Sequence, residues 1–134
     1  MEYNELVSAA LKARGQAYAP YSSFAVGAAL LTKGGRIFAG CNVENVSFGL
    51  TICAERSAIA AAVAQGHRDF LAIAIVTDLK KPGFPCGACR QVLAEFNPSM
   101  RVIAATVSGK LEQLALDELL PRPLQNLPSK SANV

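Results

Sequence analysis

Tryptophan is absent from the 134-residue chain, histidine occurs once, and no Phe, Tyr or Trp follows Phe96. No apolar run approaches the roughly 18 residues that a membrane span requires, which excludes a bilayer helix. The start, Met1-Glu2-Tyr3-Asn4-Glu5, has neither the basic residues nor the apolar stretch of an export signal, so a cytoplasmic protein is expected. Clustered cations are also missing. The formal charge of +3 comes from scattered Lys and Arg, with only Lys80-Lys81 adjacent, and a polynucleotide-binding surface would need many gathered together. Without export, the four cysteines are better read as metal ligands than as two disulfides.

What is present suits one compact domain. Hydrophobic residues make up 51% and charged residues 17%, a balance that argues against disorder, and this length can bury a core without staples. A single domain over residues 1–134 is expected, with 121–134 a tail that is either mobile or folded onto something else. Leu6, Ala9, Ala10, Ala13 and Ala17 recur at helical spacing and predict a helix over 3–17, with Pro20 beyond it. Strands are predicted over 24–31 and 37–41 around the turn Lys33-Gly34-Gly35-Arg36, and an irregular polar loop over 42–52.

An Ala-rich helix is expected from Cys53 to about Gln65, closed by Gly66. A buried strand over 70–77 follows, then a Pro- and Gly-rich approach to a second helix over 87–96, stopped by Asn97-Pro98. Residues 101–107 predict a further strand, 112–115 a short fifth, and 117–120 a short helix. Strands separated by single helices imply parallel crossovers. The expected architecture is α/β in three layers, α/β/α, with a mixed five-stranded sheet and helices on both faces.

Two cysteine segments carry the chemistry: Cys53-Ala54-Glu55 and Pro85-Cys86-Gly87-Ala88-Cys89. Three thiolates leave a tetrahedral Zn²⁺ one ligand short, and that open place distinguishes catalytic zinc sites from structural ones. Both segments stand where a helix begins, and the free N–H groups there favour thiolate over thiol. Three thiolates outweigh the charge of Zn²⁺ and oppose loss of a proton from water. Arg56 or Arg90 can offset this by donating to sulfur, and Arg56 is favoured because it lies three residues after Cys53 on one helical face.

Glu55 is out of register to ligate beside Cys53, so its carboxylate is free to move protons at the open position. Its plainer reading is an acidic residue favouring a helix N-terminus. Cys41, as a fourth ligand, would close the site and make the chain a structural zinc module; its plainer reading is a small buried residue near a strand end. His67, beside Arg68 and Asp69, reads as solvated loop. The stripe from Ala58 to Ala64 permits close helix packing within the chain or between copies.

The pattern C-A-E-R with P-C-G-A-C-R-Q resembles the zinc nucleobase deaminase signature, in which a free Glu handles protons. Together with Tyr21-Ser22-Ser23-Phe24-Ala25-Val26-Gly27-Ala28 and Gly40-Cys41-Asn42-Val43-Glu44-Asn45, it resembles the small cytidine deaminases that act on free nucleosides, across roughly residues 3–120. The resemblance implies hydrolytic deamination of cytidine and deoxycytidine, a step of pyrimidine salvage. It implies Zn²⁺ on Cys53, Cys86 and Cys89, Glu55 as acid and base, and a homotetramer with sites at subunit boundaries.

The resemblance further implies that Phe24 lies against the pyrimidine, that Asn42 and Glu44 bind ribose hydroxyls, and that backbone N–H groups near Ala54 orient the base. For Phe24 the alternative is an inward strand residue, and for Asn42 and Glu44 a polar turn. Two departures stand out. Phe48 occupies a position often held by Tyr and contributed across a subunit boundary, and the tail offers Arg122-Pro123-Leu124 where similar enzymes often supply an aromatic. Both bear on substrate breadth, leaving room for a base-modified cytidine or an aminopyrimidine nucleoside antibiotic as the substrate.

Overall fold

The computed structural model describes residues 3–125. Helix α1 (Asn4–Arg14) precedes a hairpin of β1 (Gly27–Thr32) and β2 (Ile37–Cys41), followed by a single 3₁₀ turn at Phe48–Leu50. Then come α2 (Ala54–Ala64), β3 (Phe70–Thr77), α3 (Gly87–Phe96), β4 (Arg101–Thr106), β5 (Leu111–Ala115) and a one-turn α4 (Leu116–Leu119). The five strands form one sheet in the order β2-β1-β3-β4-β5. Only β3 and β4, joined through α3, run parallel; the other pairs are antiparallel.

Strand alternation divides the core in two. Leu6 and Ala10 of α1 pack on Ala29, Ala72, Ala74 and Ile103, which face one side of the sheet. On the other side, Ala58 and Ala62 of α2 and Leu93 of α3 cover Ala28, Leu30, Ile73 and Val102. Leu30, Ile73 and Leu93 are completely buried, each worth about 1.5–3 kcal/mol of transfer free energy. The mixed five-stranded sheet with helices on both faces is therefore the observed architecture.

Two glycines set the helix-to-sheet distances. A Cβ on Gly40 would lie 2.5 Å from the Ala58 nitrogen, so glycine lets α2 settle directly onto β2. A Cβ on Gly27 would lie 1.9 Å from the Ala10 carbonyl oxygen, so α1 sits equally close on the other face. Of the alanine stripe, Ala58 and Ala62 serve packing within the chain, fully buried against the hairpin strands, while Ala60 and Ala64 are exposed.

Several boundaries differ from expectation for local reasons. The first helix stops at Arg14, where Gln16 and Ala17 N–H bond three residues back and tighten the chain into turns. The first strand begins at Gly27 rather than at 24, because Ser23 adopts a left-handed φ of 57° and the Phe24–Val26 backbone is bonded to a side chain instead of a strand. His67 is half-buried with its ring 4.9 Å from that of Phe38, not simply solvated loop. Of the expected tail, 126–134 lie outside the described residues; Leu124 is held to α3 by two hydrogen bonds with the Gln91 amide, at 2.7 and 3.1 Å.

Candidate active site

The N-termini of α2 and α3 meet on the same side of the sheet. Cys53 and Cys86 are their N-cap residues, both in extended conformation, and neither makes a side-chain cap. Their carbonyls accept the first helical bonds, from Ser57 N–H at 3.0 Å and Arg90 N–H at 2.9 Å. Their side chains are thus free to turn toward each other, and Cys89 joins them from the first turn of α3. The Sγ atoms of Cys53, Cys86 and Cys89 all lie within 4.8 Å of one another. Tetrahedral zinc with Zn–S of about 2.3 Å separates its sulfurs by about 3.8 Å, so the cluster is compact enough to hold such an ion.

Electrostatics supports the same fit. The Cys53 thiol is held well below its ordinary range, first by the neighbouring Cys89 thiol and then, against burial, by Arg56. Cys89 is pushed upward by its bond to Cys53 and by burial. One thiol ionises readily and the next resists; a divalent cation among the sulfurs would favour the thiolate at all three. Arg56 Nη2 donates to Cys53 Sγ at 3.5 Å and to the Thr51 carbonyl at 3.3 Å, while its buried Nε has no partner among the described residues. Arg90 turns elsewhere: its guanidinium donates to the Pro85 carbonyl at 2.6 Å and the Leu119 carbonyl at 3.0 Å. It braces the turn before Cys86.

Cys41 lies outside the thiol cluster. Gly40 faces α2, so alternation turns Cys41 to the α1 side of the sheet, where its register partner Gly27 also faces α1. A four-cysteine site is therefore not what this fold assembles.

Glu55 follows in the first turn of α2, only 6% exposed, and burial raises its carboxyl pKa above the ordinary value. It lines a cavity of about 430 Å³ together with Cys53, Cys86, Ala54, Phe24 and Glu44. The cavity opens where β1 begins and β2 and β3 end. Asn42 also lines it, but its amide is largely committed: Oδ1 accepts from Val26 N–H at 2.9 Å and Nδ2 donates to the Phe24 carbonyl at 2.7 Å. Asn42 thereby presents Phe24 to the cavity. Glu44 accepts from the Ser22 hydroxyl and from the N–H groups of Tyr21 and Ser22, at 2.9 and 3.1 Å, which shape the 21–24 turn. The Ser22 hydroxyl is the main cause holding its pKa below the usual value.

Phe48 does not enter this cavity. It is 75% exposed, edge-on to Tyr21 at 6.3 Å, and borders a shallower depression next to Glu44. Sequence reasoning missed Ser22, Thr51, Leu79, Gly83 and Phe84 as cavity residues. The turn-rich approach to Cys86 was the available signal for the last two. Arg14 was missed as well: it donates to the Ala25 carbonyl at 3.0 Å and pairs with Asp78 at 3.4 Å, tying α1 to the cavity rim.

Residues 1–106 match the family described as the cytidine and deoxycytidylate deaminase zinc-binding region, a span that includes all three thiols and Glu55. Among curated relatives, a cytidine deaminase of Halalkalibacterium halodurans is 49% identical over 90% of this chain and 92% of its own length. One from Sporosarcina psychrophila is 50% identical, covering 90% of each chain. The crystal structure of cytidine deaminase from Burkholderia pseudomallei superposes with a TM-score of 0.89 at 47% identity, over 92% of this chain and all (100%) of that one.

Proposed function

The chain belongs to the cytidine and deoxycytidylate deaminase family, and from that premise we propose that it hydrolyses cytidine and deoxycytidine to uridine and deoxyuridine, releasing ammonia. The observation that carries the reading is one cavity holding a three-thiol cluster, a buried carboxyl that is not part of it, and an aromatic face. The cofactor is Zn²⁺, which Cys53, Cys86 and Cys89 would hold. When bound it supplies Lewis acidity that makes water acidic enough to give up a proton near neutral pH.

The residues supply the rest. Glu55 takes the proton from water, gives one to N3 of the ring and protonates the departing amine at C4. Its raised pKa suits a group that must both accept and donate. Phe24 lies against the pyrimidine, and the free N–H groups at the start of α2, near Ala54, would orient the base and the tetrahedral centre at C4. Glu44, with oxygen lone pairs beyond those used by Ser22 and Tyr21, accepts from the sugar hydroxyls, and Asn42 retains one amide N–H for the same task. Arg56 draws charge from Cys53.

Val46, Phe48 and Leu50 are 74%, 75% and 67% exposed on the loop beside the cavity mouth, which favours coverage by other copies in a homotetramer with Phe48 at a subunit boundary. A cytoplasmic role in pyrimidine salvage accords with the chemistry.

Steady-state deamination of cytidine, deoxycytidine and free cytosine, with zinc content measured on the same sample, tests the assignment. Turnover of both nucleosides with little of cytosine is expected, because cytosine lacks the sugar that Glu44 and Asn42 bind. Zinc-loaded protein inactive on both nucleosides, or equally active on cytosine, would refute it.

A further inference from the structure

The cavity extends past the groups used above. From Asn42 and Glu44 at the end of β2 it passes Phe24 and Val26 at the start of β1, and it ends beyond β3 against Leu79, Gly83 and Phe84. Sheet order β2-β1-β3 puts this last wall opposite the sugar-binding side chains. With C4 at the thiols, N3 at Glu55 and the sugar on N1 at Glu44, C5 is the position beside C4 that none of these groups occupies, and it is left to this wall.

Gly83 is not there for its backbone. Gly35, Gly66 and Gly109 have positive φ, whereas Gly83 does not, so an L side chain fits its conformation. What glycine spares is Leu79: a Cβ at position 83 would press on Leu79 Cδ1 at 3.0 Å, tighter than an ordinary contact, so a side chain there would displace Leu79, and both residues border the cavity. The wall is held in place at three points: Leu79 N–H reaches Thr77 Oγ1 at 3.4 Å, Lys110 Nζ donates to the Lys80 carbonyl at 3.0 Å, and Phe84 packs on the α2–α3 core. Leu79 and Phe84 offer no hydrogen-bonding side-chain atoms, so the recess suits an apolar substituent and penalises a polar one.

We propose that Gly83, between Leu79 and Phe84, determines specificity at C5 of the base by keeping open an apolar recess that admits C5-alkylated cytidines, 5-methylcytidine the simplest. The inference rests on the cytidine-deaminating reading. The reaction is unchanged: water adds at C4, the C4–N bond breaks, the amine leaves as ammonia and 5-methyluridine results. One methyl group in or out of a fitted apolar pocket changes kcat/KM by roughly 10–200-fold.

The test is kcat/KM on cytidine and on 5-methylcytidine for the unaltered protein, Gly83→Ala and Gly83→Val. The unaltered protein should accept 5-methylcytidine within about ten-fold of cytidine, and Gly83→Val should lower the ratio of the two by about ten-fold or more, with Gly83→Ala between. The ratio cancels losses common to both substrates, and Gly83→Ala decides if the valine variant fails to fold. A ratio equal across the proteins, or discrimination beyond ten-fold in the unaltered one, overturns the recess. Protein inactive on cytidine itself would instead overturn the reading beneath it.

Discussion

Arg56 Nη2 stands 3.5 Å from Cys53 Sγ, one helical turn along α2 from that thiol. Arg90, adjacent in sequence to Cys89, spends its guanidinium on two backbone carbonyls instead. The two arginines near the thiols therefore differ: one meets a sulfur of the cluster, the other braces the loop that leads to Cys86.

Removing the first should loosen the metal. Arg56→Ala is expected to weaken zinc affinity about 10–100-fold, the usual range for losing a partner of a ligand. Competition with a chromophoric chelator measures this directly, and unchanged affinity would show that the 3.5 Å contact carries no charge compensation.

Asn42 has a similar supporting task. Asn42→Ala would strip partners from Val26 N–H and the Phe24 carbonyl, costing about 1–3 kcal/mol in urea unfolding. KM for cytidine should rise as Phe24 loses its placement. Unaltered stability and KM would mean the two bonds are dispensable.

Glu44 gives a pH signature. Its folded-state pKa is lowered, chiefly by the Ser22 hydroxyl, so its stabilising bonds are present at neutral pH and fade as pH falls through that lowered value. Thermal melting of the unaltered protein and of Glu44→Gln should therefore differ most near neutrality and converge below the ordinary carboxylate range. A gap that widened on acidification would contradict the sign.

Much of this was legible in the chain because the decisive features are short. Two N-cap cysteines and a third one turn on are local patterns, and so is the carboxylate two residues after Cys53. The same holds for β1 to β4, which show as buried or alternating runs, whereas β5 is exposed over Leu111–Gln113 and carries no such pattern. The rest depends on distant contacts. That Cys41 faces α1 follows from Gly40 touching Ala58, a contact between separate elements. That Arg56 rather than Arg90 meets sulfur agrees with helical spacing, but what Arg90 does requires Leu119, 29 residues away. The late start of β1 follows from a side chain 18 residues downstream, Asn42, taking the Phe24 carbonyl. The wall at Leu79 and Gly83 had no periodicity to reveal it.

The central claim is that a buried carboxyl beside the three thiols moves the protons of a hydrolytic deamination. Zinc content and cytidine turnover of Glu55→Gln, measured on one preparation, test it most directly. The account predicts zinc bound as in the unaltered protein with turnover reduced at least 10²–10⁴-fold, the usual worth of a general acid–base; zinc-loaded Glu55→Gln turning over cytidine at near the unaltered rate would contradict it.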